Sequence, residues 1–268
     1  MQVELLELRE GRARFLLRGV KPAFANAIRR ACLAEVPSLA IDEISIYDNT
    51  SVLFDEQLSL RLGLVPIKAD DLSIFRVPEE CDCGGAGCPA CQVGMTLSAE
   101  GPCTVHSEDL RFSDPGVQVV FEKIPLAILG DGEKLMLEGI VTLNRGTVHA
   151  KWQAGTQCGY KNLPEIRISA SCEGCGKCVE VCPRKILVIE EAEGRGMLKV
   201  IDPVSCSHCK LCMLECEIGA IEVVPIEDVF VMKIDTDGSM PAKDLVSGAA
   251  GEIKRRASLL SQQLSELA

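Results

Sequence analysis

Residues 21–36, KPAFANAIRRACLAEV, predict the helix on which we expect the rest of the fold to depend. Pro22 suits the first turn of a helix, where its missing N–H is not needed. One apolar face recurs at steps of three and four residues and consists of Phe24, Ala27, Ile28 and Ala31. We therefore predict a helix over residues 22–36.

Segments with apolar residues at every second position surround this helix. Residues 2–19 predict two strands that turn near Glu10-Gly11. Residues 54–67, FDEQLSLRLGLVPI, predict a short helix that ends near Gly63, and Pro241 is predicted to open a last helix. Further strands are predicted at residues 39–47, 103–107, 117–122 and 135–143, and from residue 228 on.

The predicted last helix carries a heptad pattern. Its apolar residues alternate steps of four and three and comprise Val246, Ala250, Ile253, Ala257, Leu260, Leu264 and Leu267. A seam of this kind needs another surface to cover it. It packs either on its own domain or on a helix of another subunit, and we expect the second.

Composition restricts the class of protein. The 268 residues are 47% hydrophobic and 25% charged, which is ordinary for a globular protein of two or three compact units. The net charge of −11 argues against direct nucleic-acid binding over a wide surface, because phosphates require a basic face. No apolar run is long enough to span a bilayer, and the N-terminus does not resemble a targeting segment. We therefore expect a cytoplasmic protein with no membrane contact.

Two cysteine runs share the spacing C-x2-C-x2-C-x3-C, and the second begins 34 residues after the first. In ferredoxin-like runs three cysteines bind one [4Fe–4S] cluster and the fourth completes the other cluster. We therefore assign the first cluster to Cys172, Cys175, Cys178 and Cys216, and the second to Cys182, Cys206, Cys209 and Cys212.

Other interpretations of these eight cysteines are zinc or a structural role without metal. Zinc sites usually show two separate C-x2-C pairs, and disulfides are rare in reducing compartments. Pro183 follows Cys182 as in the usual ferredoxin pattern, whereas Glu217 follows Cys216. A hairpin is predicted between the runs, turning at residues 194–196. The pattern leaves open whether either cluster is [3Fe–4S].

The stretch CDCGGAGCPAC, residues 81–91, predicts a further metal site. Four thiolates separated by glycines, which permit a sharp turn, can surround a tetrahedral ion. The predicted zinc ligands are Cys81, Cys83, Cys88 and Cys91. Free thiols or a disulfide are the alternatives, and Cys103 is near enough in sequence to replace one ligand. Cys32 and Cys158 are interpreted as small core residues.

No pattern typical of an active site is present in the sequence. His106, His149 and His208 stand apart from any nucleophile or paired carboxylates. Neither a phosphate-binding glycine-rich loop nor a nucleophile elbow occurs. We therefore predict no catalytic residues in this chain.

The stretch from Gly19 to Lys68 resembles the N-terminal region of the D-type subunits of archaeal RNA polymerase. That family is related to the bacterial alpha subunit and to the third-largest subunit of eukaryotic polymerase II. The motifs FANAIRRACLAEVP, DNTSVLFDE and RLGLVPIK match in order, and the resemblance continues through the cysteine loop, HAKWQAG and the last helix. Some members carry a ferredoxin-like insertion.

The resemblance implies an α+β fold in which a discontinuous α/β dimerisation domain, residues 1–42 and 223–268, carries two insertions. These are a β-rich domain, residues 43–165, and a ferredoxin-like iron–sulfur domain, residues 166–222. It also implies a non-catalytic scaffold of a DNA-directed RNA polymerase. Such a scaffold pairs with the smaller subunit L and nucleates assembly of the large catalytic subunits.

The implied interface lies on the two helices at the chain ends. Its expected members are Phe24, Ile28, Arg29, Arg30, Val246, Ile253, Leu260, Leu264 and Leu267. Arg29 and Arg30 are expected to meet a large subunit, and His149, Lys151 and Trp152 are expected to add a contact.

Two alternatives to a scaffold with structural clusters stay open at this point. The clusters could instead sense redox state or iron and gate assembly. A different class of protein is a ferredoxin-type electron-transfer subunit of an anaerobic oxidoreductase. That class leaves residues 1–165 and the heptad pattern unexplained.

Overall fold

The computed structural model describes residues 1–192 and 195–267. The chain is mixed α/β and rich in sheet. It divides into two compact units, each assembled from three segments. The first unit comprises residues 1–6, 14–26 and 159–232, and the second comprises residues 7–13 and 27–158 and the chain from residue 233 on. The boundaries of the three predicted domains stay a prediction.

The predicted helices and strands are present with differences at their ends, and the structure adds strands that were not predicted, the longest at Gln92–Glu100 and Gly155–Ile168. The helices are α1 Pro22–Ala34, α2 Asp55–Gly63, α3 Lys177–Glu180, α4 Leu211–Leu214 and α5 Ala242–Glu266. The strands are β1 Gln2–Arg9, β2 Arg12–Arg18, β3 Ser38–Asn49, β4 Ile67–Ala69, β5 Gln92–Glu100, β6 Cys103–His106, β7 Arg111–Phe112, β8 Val117–Val119, β9 Pro125–Leu129, β10 Lys134–Asn144, β11 Gly155–Ile168, β12 Leu187–Ala192, β13 Arg195–Val200 and β14 Ile221–Thr236.

Two larger sheets organise the chain. One has four strands in the order β1-β2-β14-β11, and parts of each of these strands belong to each unit. The other has six strands in the order β7-β5-β10-β3-β4-β8 and lies within the second unit. Its two longest strands, β3 and β10, pair antiparallel from Leu135 opposite Asn49 to Asn144 opposite Ser38.

The core of the second unit forms where the inward faces of this six-stranded sheet meet α2. Leu58 and Leu62 lie one helical turn apart on α2 and are fully buried. They belong to the same core as Leu135 and Leu137 of β10, which alternate with exposed Met136. Alternate residues of the strand and residues four apart on the helix therefore pack into one apolar core.

Residues 166–223 of the first unit have a small core of their own. Its buried aliphatic residues are Ile186, Leu187, Leu198, Ile221 and Val223, and half of the remaining members of this core are cysteines. Strands β12 and β13 pair antiparallel, as expected for a hairpin. Of the predicted turn at residues 194–196, position 194 lies outside the described residues.

Helix α1 confirms the prediction made from residues 21–36, except that it ends at Ala34. Residue Val36 precedes Pro37, and a proline disfavours helical geometry in the residue before it. The buried face comprises Ala25, Ile28, Ala31 and Cys32, whereas Phe24 and Ala27 are half-buried.

Helix α5 begins after Pro241, as predicted, and buries only its first two turns within the chain. Ala242, Leu245 and Ala249 are fully buried there. Gly248 lets the helix approach Val36 closely, because a Cβ at Gly248 would lie 3.1 Å from a methyl group of Val36. From Lys254 to Leu267 every residue is exposed.

Candidate metal centres and interaction surface

Four predicted cluster ligands meet around one cavity, which we call the first cavity. It is lined by Cys172, Cys175, Cys178 and Cys216. Cys178 lies on α3, and Cys216 follows α4. The first cysteine run therefore contributes three thiols to this cavity, and the second run contributes one.

The other four predicted ligands line a second cavity in the same unit. They are Cys182, Cys206, Cys209 and Cys212. Cys212 lies on α4, and Cys182 follows α3. The two cavities thus exchange the fourth cysteine of each run, which is the crossed combination that the spacing predicts.

The backbone repeats with the same 34-residue period as the cysteines. Gly174, Gly176 and Gly219 have positive φ angles of 68°, 84° and 62°. Their counterparts one period away are His208, Lys210 and Lys185, with φ angles of 55°, 60° and 51°. Non-glycine residues in this left-handed region each cost about 1–3 kcal/mol. The second run adopts the conformation of the first although it lacks glycines at two of these places.

Gly174 illustrates why the first run uses glycine. In addition to its positive φ, it passes so close to β13 that an added Cβ would collide with the backbone carbonyl of Gly196. At Gly176, by contrast, a Cβ would meet nothing within 4 Å.

The thiols of the two cavities suit iron–sulfur clusters better than single metal ions. The amide of Ala220 donates to Sγ of Cys216 at 3.2 Å. Among the described residues, no three ligand atoms of these cysteines lie within 4.8 Å of one another. A single ion needs its ligands closer than this, whereas a cube of iron and sulfide spaces them more widely.

A third set of thiols lies in the loop before β5. The Sγ atoms of Cys81, Cys83, Cys88 and Cys91 all lie within 4.8 Å of one another. Four of the separations are 3.5 Å for Cys81 and Cys83, 3.6 Å for Cys81 and Cys88, 3.6 Å for Cys83 and Cys91, and 3.8 Å for Cys88 and Cys91. A tetrahedral zinc ion with Zn–S bonds of about 2.3 Å holds its sulfurs about 3.8 Å apart. The residues present therefore fit a zinc ion.

The four thiols of this loop differ in acidity. The hydrogen bond between Cys83 and Cys81 is the main cause that lowers the pKa of Cys83 to about 6, whereas the pKa of Cys81 is raised to about 12 and that of Cys91 is also raised. Cys83 is therefore the thiol that ionises most readily, and the others must lose their protons when a metal ion binds. Cys103 lies apart from the set, because its exposed Sγ contacts the carbonyl oxygen of Glu100 at 3.6 Å. All fifteen cysteines lie in the described ranges and are free thiols.

The predicted heptad seam of α5 is mostly uncovered within the chain. We call Leu260, Leu264 and Leu267 the α5 seam. They are 58%, 58% and 85% exposed. Val246 and Ile253, nearer the start of the helix, are half-buried. The seam therefore lies beside the buried stripe of α5, with most of its apolar area in solvent.

The predicted interface residues of α1 divide into two groups. Arg30 is exposed, and Phe24 and Arg29 are half-buried. Ile28 is only 6% exposed, so it belongs to the core and not to an open face. The buried face of α1 is therefore rotated by about one residue from the face that the spacing predicted. Ala25 and Ala31 lie on this buried face, and their small side chains let α1 pack closely against the core.

Of the three residues expected to add a contact, only His149 is exposed. The Trp152 indole is 3% exposed and donates to the carbonyl oxygen of Thr142 at 3.2 Å. Lys151 Nζ lies 4.4 Å from the centroid of that indole ring and binds Asp42 Oδ1 at 2.6 Å. Trp152 and Lys151 therefore stabilise the second unit, which corrects the expectation for Trp152.

Several residues near the sites were not singled out from the sequence. Cys32 and Cys158, interpreted as separate core residues, are hydrogen-bonded to each other, and this bond is the main cause that lowers the pKa of Cys158. Lys161 donates to the carbonyl oxygens of Val204, at 2.6 Å, and Cys206. Comparing the two cysteine runs position by position would have identified Lys210 and His208 as departures from glycine.

None of the helices in the described ranges, residues 1–192 and 195–267, combines the length and apolar character needed to cross a membrane.

Comparison with known proteins identifies relatives along the whole chain. A chain of Methanosarcina acetivorans named DNA-directed RNA polymerase subunit Rpo3 is 48% identical, with 100% of this chain and 99% of the relative covered. A protein of the same name from Methanosarcina mazei is also 48% identical over the same shares. One from Archaeoglobus fulgidus is 37% identical, with 99% of this chain and 98% of the relative covered.

A family model matches most of the chain as well. The model is described as the RNA polymerase Rpb3/Rpb11 dimerisation domain, and it matches residues 14–257. This range includes α1, both cysteine runs and the first half of α5. The chain belongs to the RNA polymerase Rpb3/Rpb11 dimerisation domain family.

Proposed function

We propose that this chain is the non-catalytic assembly subunit of an archaeal DNA-directed RNA polymerase and that it pairs with the smaller subunit L. The observation that carries the proposal is the exposed α5 seam in a chain that belongs to a family of dimerisation domains. The relatives named above support the polymerase assignment through their names. They do not support the alternative of a ferredoxin-type electron-transfer subunit.

The energetics of the seam favour a large interface. Full burial of a leucine contributes about 1.5–3 kcal/mol, so the three leucines of the α5 seam contribute a few kcal/mol in all. Association costs about 4–15 kcal/mol in lost freedom of motion. The seam alone is therefore insufficient, and an obligate interface of this kind buries about 2,000 Å² or more. Half-buried Phe24 and exposed Arg30 on α1 are the further candidates from the sequence.

In the proposed assembly, the first and second cavities hold two [4Fe–4S] clusters that act as braces. Residues 166–223 have few buried apolar side chains, and cysteines occupy much of their core. Metal–thiolate bonds can supply the stability that such a small core lacks, because metal binding and folding are then one process. We also propose a structural zinc ion at Cys81, Cys83, Cys88 and Cys91.

The proposed zinc site is tested by a matched pair of substitutions. We expect Cys83→Ser to reduce bound zinc at least about tenfold, because it removes one of four ligands. Cys103→Ser, in the neighbouring strand β6, is the control and retains zinc. The measurement is elemental analysis of purified protein together with competition against a chromogenic chelator. Equal zinc content in both variants would show that the four thiols do not form the site.

The proposed function is tested by affinity purification of a tagged chain from its native cells. We expect the large catalytic subunits of RNA polymerase and subunit L to be recovered in stoichiometric amounts. Recovery of hydrogenase or dehydrogenase subunits in their place would contradict the assignment and restore the electron-transfer alternative.

A sensing role for the clusters is a separate question with its own test. Air oxidation of the anaerobically purified chain, followed by measurement of its affinity for subunit L, distinguishes a brace from a gate. Unchanged affinity after loss of iron would exclude gating at the dimerisation step.

A further inference from the structure

The two cavities have the same cysteine arrangement but opposite charge. The first cavity is lined by three carboxylates, Glu173, Glu215 and Glu217, and by one ammonium group, Lys177. Lys177 Nζ is paired with Glu217 Oε1 at 2.5 Å, so two carboxylates stay without a lining cation. The second cavity is lined by Arg184 and Lys210 and by no carboxylate of the described residues.

A further ammonium group adjoins the second cavity. Lys161 donates to the carbonyl oxygens of Val204 and Cys206, and Cys206 is one of the cysteines that line this cavity. Asp202 is a carboxylate that acts on Lys161, and it accepts a hydrogen bond from the Ser205 amide at 3.2 Å. Three cations against one carboxylate leave the surroundings of the second cavity positive.

Under the 34-residue repeat, the cations of the second cavity correspond to uncharged residues in the first run and after the second. Lys210 is the counterpart of Gly176, and Arg184 is the counterpart of Ile218. Lys210 has a φ of 60°, a conformation that glycine adopts without strain and lysine does not. The chain therefore keeps a strained lysine at the second cavity where the first cavity has a relaxed glycine. A residue held in strain is a reason to look for a function.

One hydrogen bond is expected to raise the potential at the first cavity, opposite to the effect of its carboxylates. The Ala220 amide donates to Sγ of Cys216, a ligand of the first cavity, and such a bond favours the reduced state of a cluster. A neutral dipole acts over a shorter range than a full charge does. The lining residues carry a net charge of −2 at the first cavity and +2 at the second, so we expect this charge difference to set the order of the two potentials.

We infer that Arg184, Lys210 and Lys161 make the second cavity the site that accepts the first electron, while Glu173 and Glu215 keep the first cluster oxidised. This inference rests on the proposed assignment of two [4Fe–4S] clusters. When a chemical reductant such as dithionite supplies one electron, no bond forms or breaks. The core with its four thiolates passes from two negative charges to three. Positive surroundings stabilise the more negative state, and negative surroundings destabilise it.

The test is a potentiometric titration of the anaerobic holoprotein, monitored by electron paramagnetic resonance. When the more easily reduced cluster is half reduced, we expect the ratio of reduced to oxidised form in the other cluster to be below about one tenth. This ratio corresponds to a separation of about 59 mV or more. We expect Lys210→Gly to lower only the upper potential, because it removes a charge at the second cavity and relaxes the backbone. Gly176→Lys is expected to raise only the lower potential.

Lys210→Arg is the matched control, because it keeps both the charge and the left-handed position. We expect its upper potential to equal that of the unaltered chain. Three results would overturn the inference while leaving the clusters in place. The first is equal potentials of the two clusters in the unaltered chain, and the second is a shift of the lower potential in Lys210→Gly. The third is a fall of the upper potential by the same amount in Lys210→Gly and Lys210→Arg. Absence of iron or of cluster signals from the purified protein would overturn the cluster assignment and the inference with it.

Discussion

The double variant Leu260→Asp, Leu264→Asp is expected to lose its pairing with subunit L. Both side chains are 58% exposed in the chain, so the substitutions disturb little of its own packing. In the heterodimer they would place two carboxylates in an apolar interface. Truncation of a central interface residue commonly costs about 2–4 kcal/mol, and each 1.4 kcal/mol is about tenfold in affinity. We therefore expect the affinity to fall at least about 1,000-fold, as measured by isothermal titration calorimetry.

The control for this variant has the same chemistry on the opposite face of α5. Ser258→Asp, Gln262→Asp adds two carboxylates at the same four-residue spacing, and both positions are exposed. Because these positions lie away from the α5 seam, we expect the affinity to change by less than about threefold, as for surface substitutions in general. If both double variants bind subunit L as the unaltered chain does, the seam is not the dimerisation surface. Circular dichroism of each variant checks that α5 is retained.

Removal of iron is expected to unfold residues 169–220 locally. This segment has a small apolar core, and six cysteines belong to it. A segment of this size is marginally stable without a metal or a cross-link. We expect treatment with an oxidant and a chelator to lower amide protection at β12 and β13 by about 100-fold or more, which corresponds to about 3 kcal/mol.

Strands of the second unit serve as the internal reference for this hydrogen-exchange experiment. Strands β5 and β10 belong to the large core of the second unit, where Leu97, Leu135 and Leu137 are at most 1% exposed. We expect their hydrogen-exchange protection to persist after iron is removed. A ligand substitution, Cys178→Ser, is expected to reproduce the loss at β12 and β13, whereas Cys103→Ser is expected to leave it unchanged. Retained protection in iron-free protein would contradict the proposal that the clusters act as braces.

Much of the local structure could be predicted from residue patterns. The period-two strands on either side of Glu10-Gly11, helix α1, the short helix α2 and the start of α5 after Pro241 are all confirmed. These elements depend on periodicity, proline and glycine, which act within a few residues of the chain. The cytoplasmic location and the three domain boundaries stay predictions.

The cysteine sets show which parts of a candidate metal site the spacing of residues can predict and which it cannot. The crossed sets of four cysteines follow from the spacing of two runs, and the structure places each set around one cavity. The close approach of the four thiols in the Cys81 loop is also local, because they lie within eleven residues of the sequence. By contrast, Lys161 lies 45 residues before Cys206 in the sequence, and only the folded chain brings its ammonium group to the Cys206 carbonyl oxygen.

The sequence by itself determined the positions of many helices and strands, the two crossed sets of four cysteines and the apolar seam of α5. These properties follow from the order of residues along a short stretch of chain. Only the tertiary structure decided which apolar residues are covered: Ile28 and Trp152 are buried, whereas Leu260 and Leu264 are exposed. Burial depends on what packs against a side chain, and the packing partners are distant in sequence. The difference between a core residue and an interface residue is therefore a property of the folded chain.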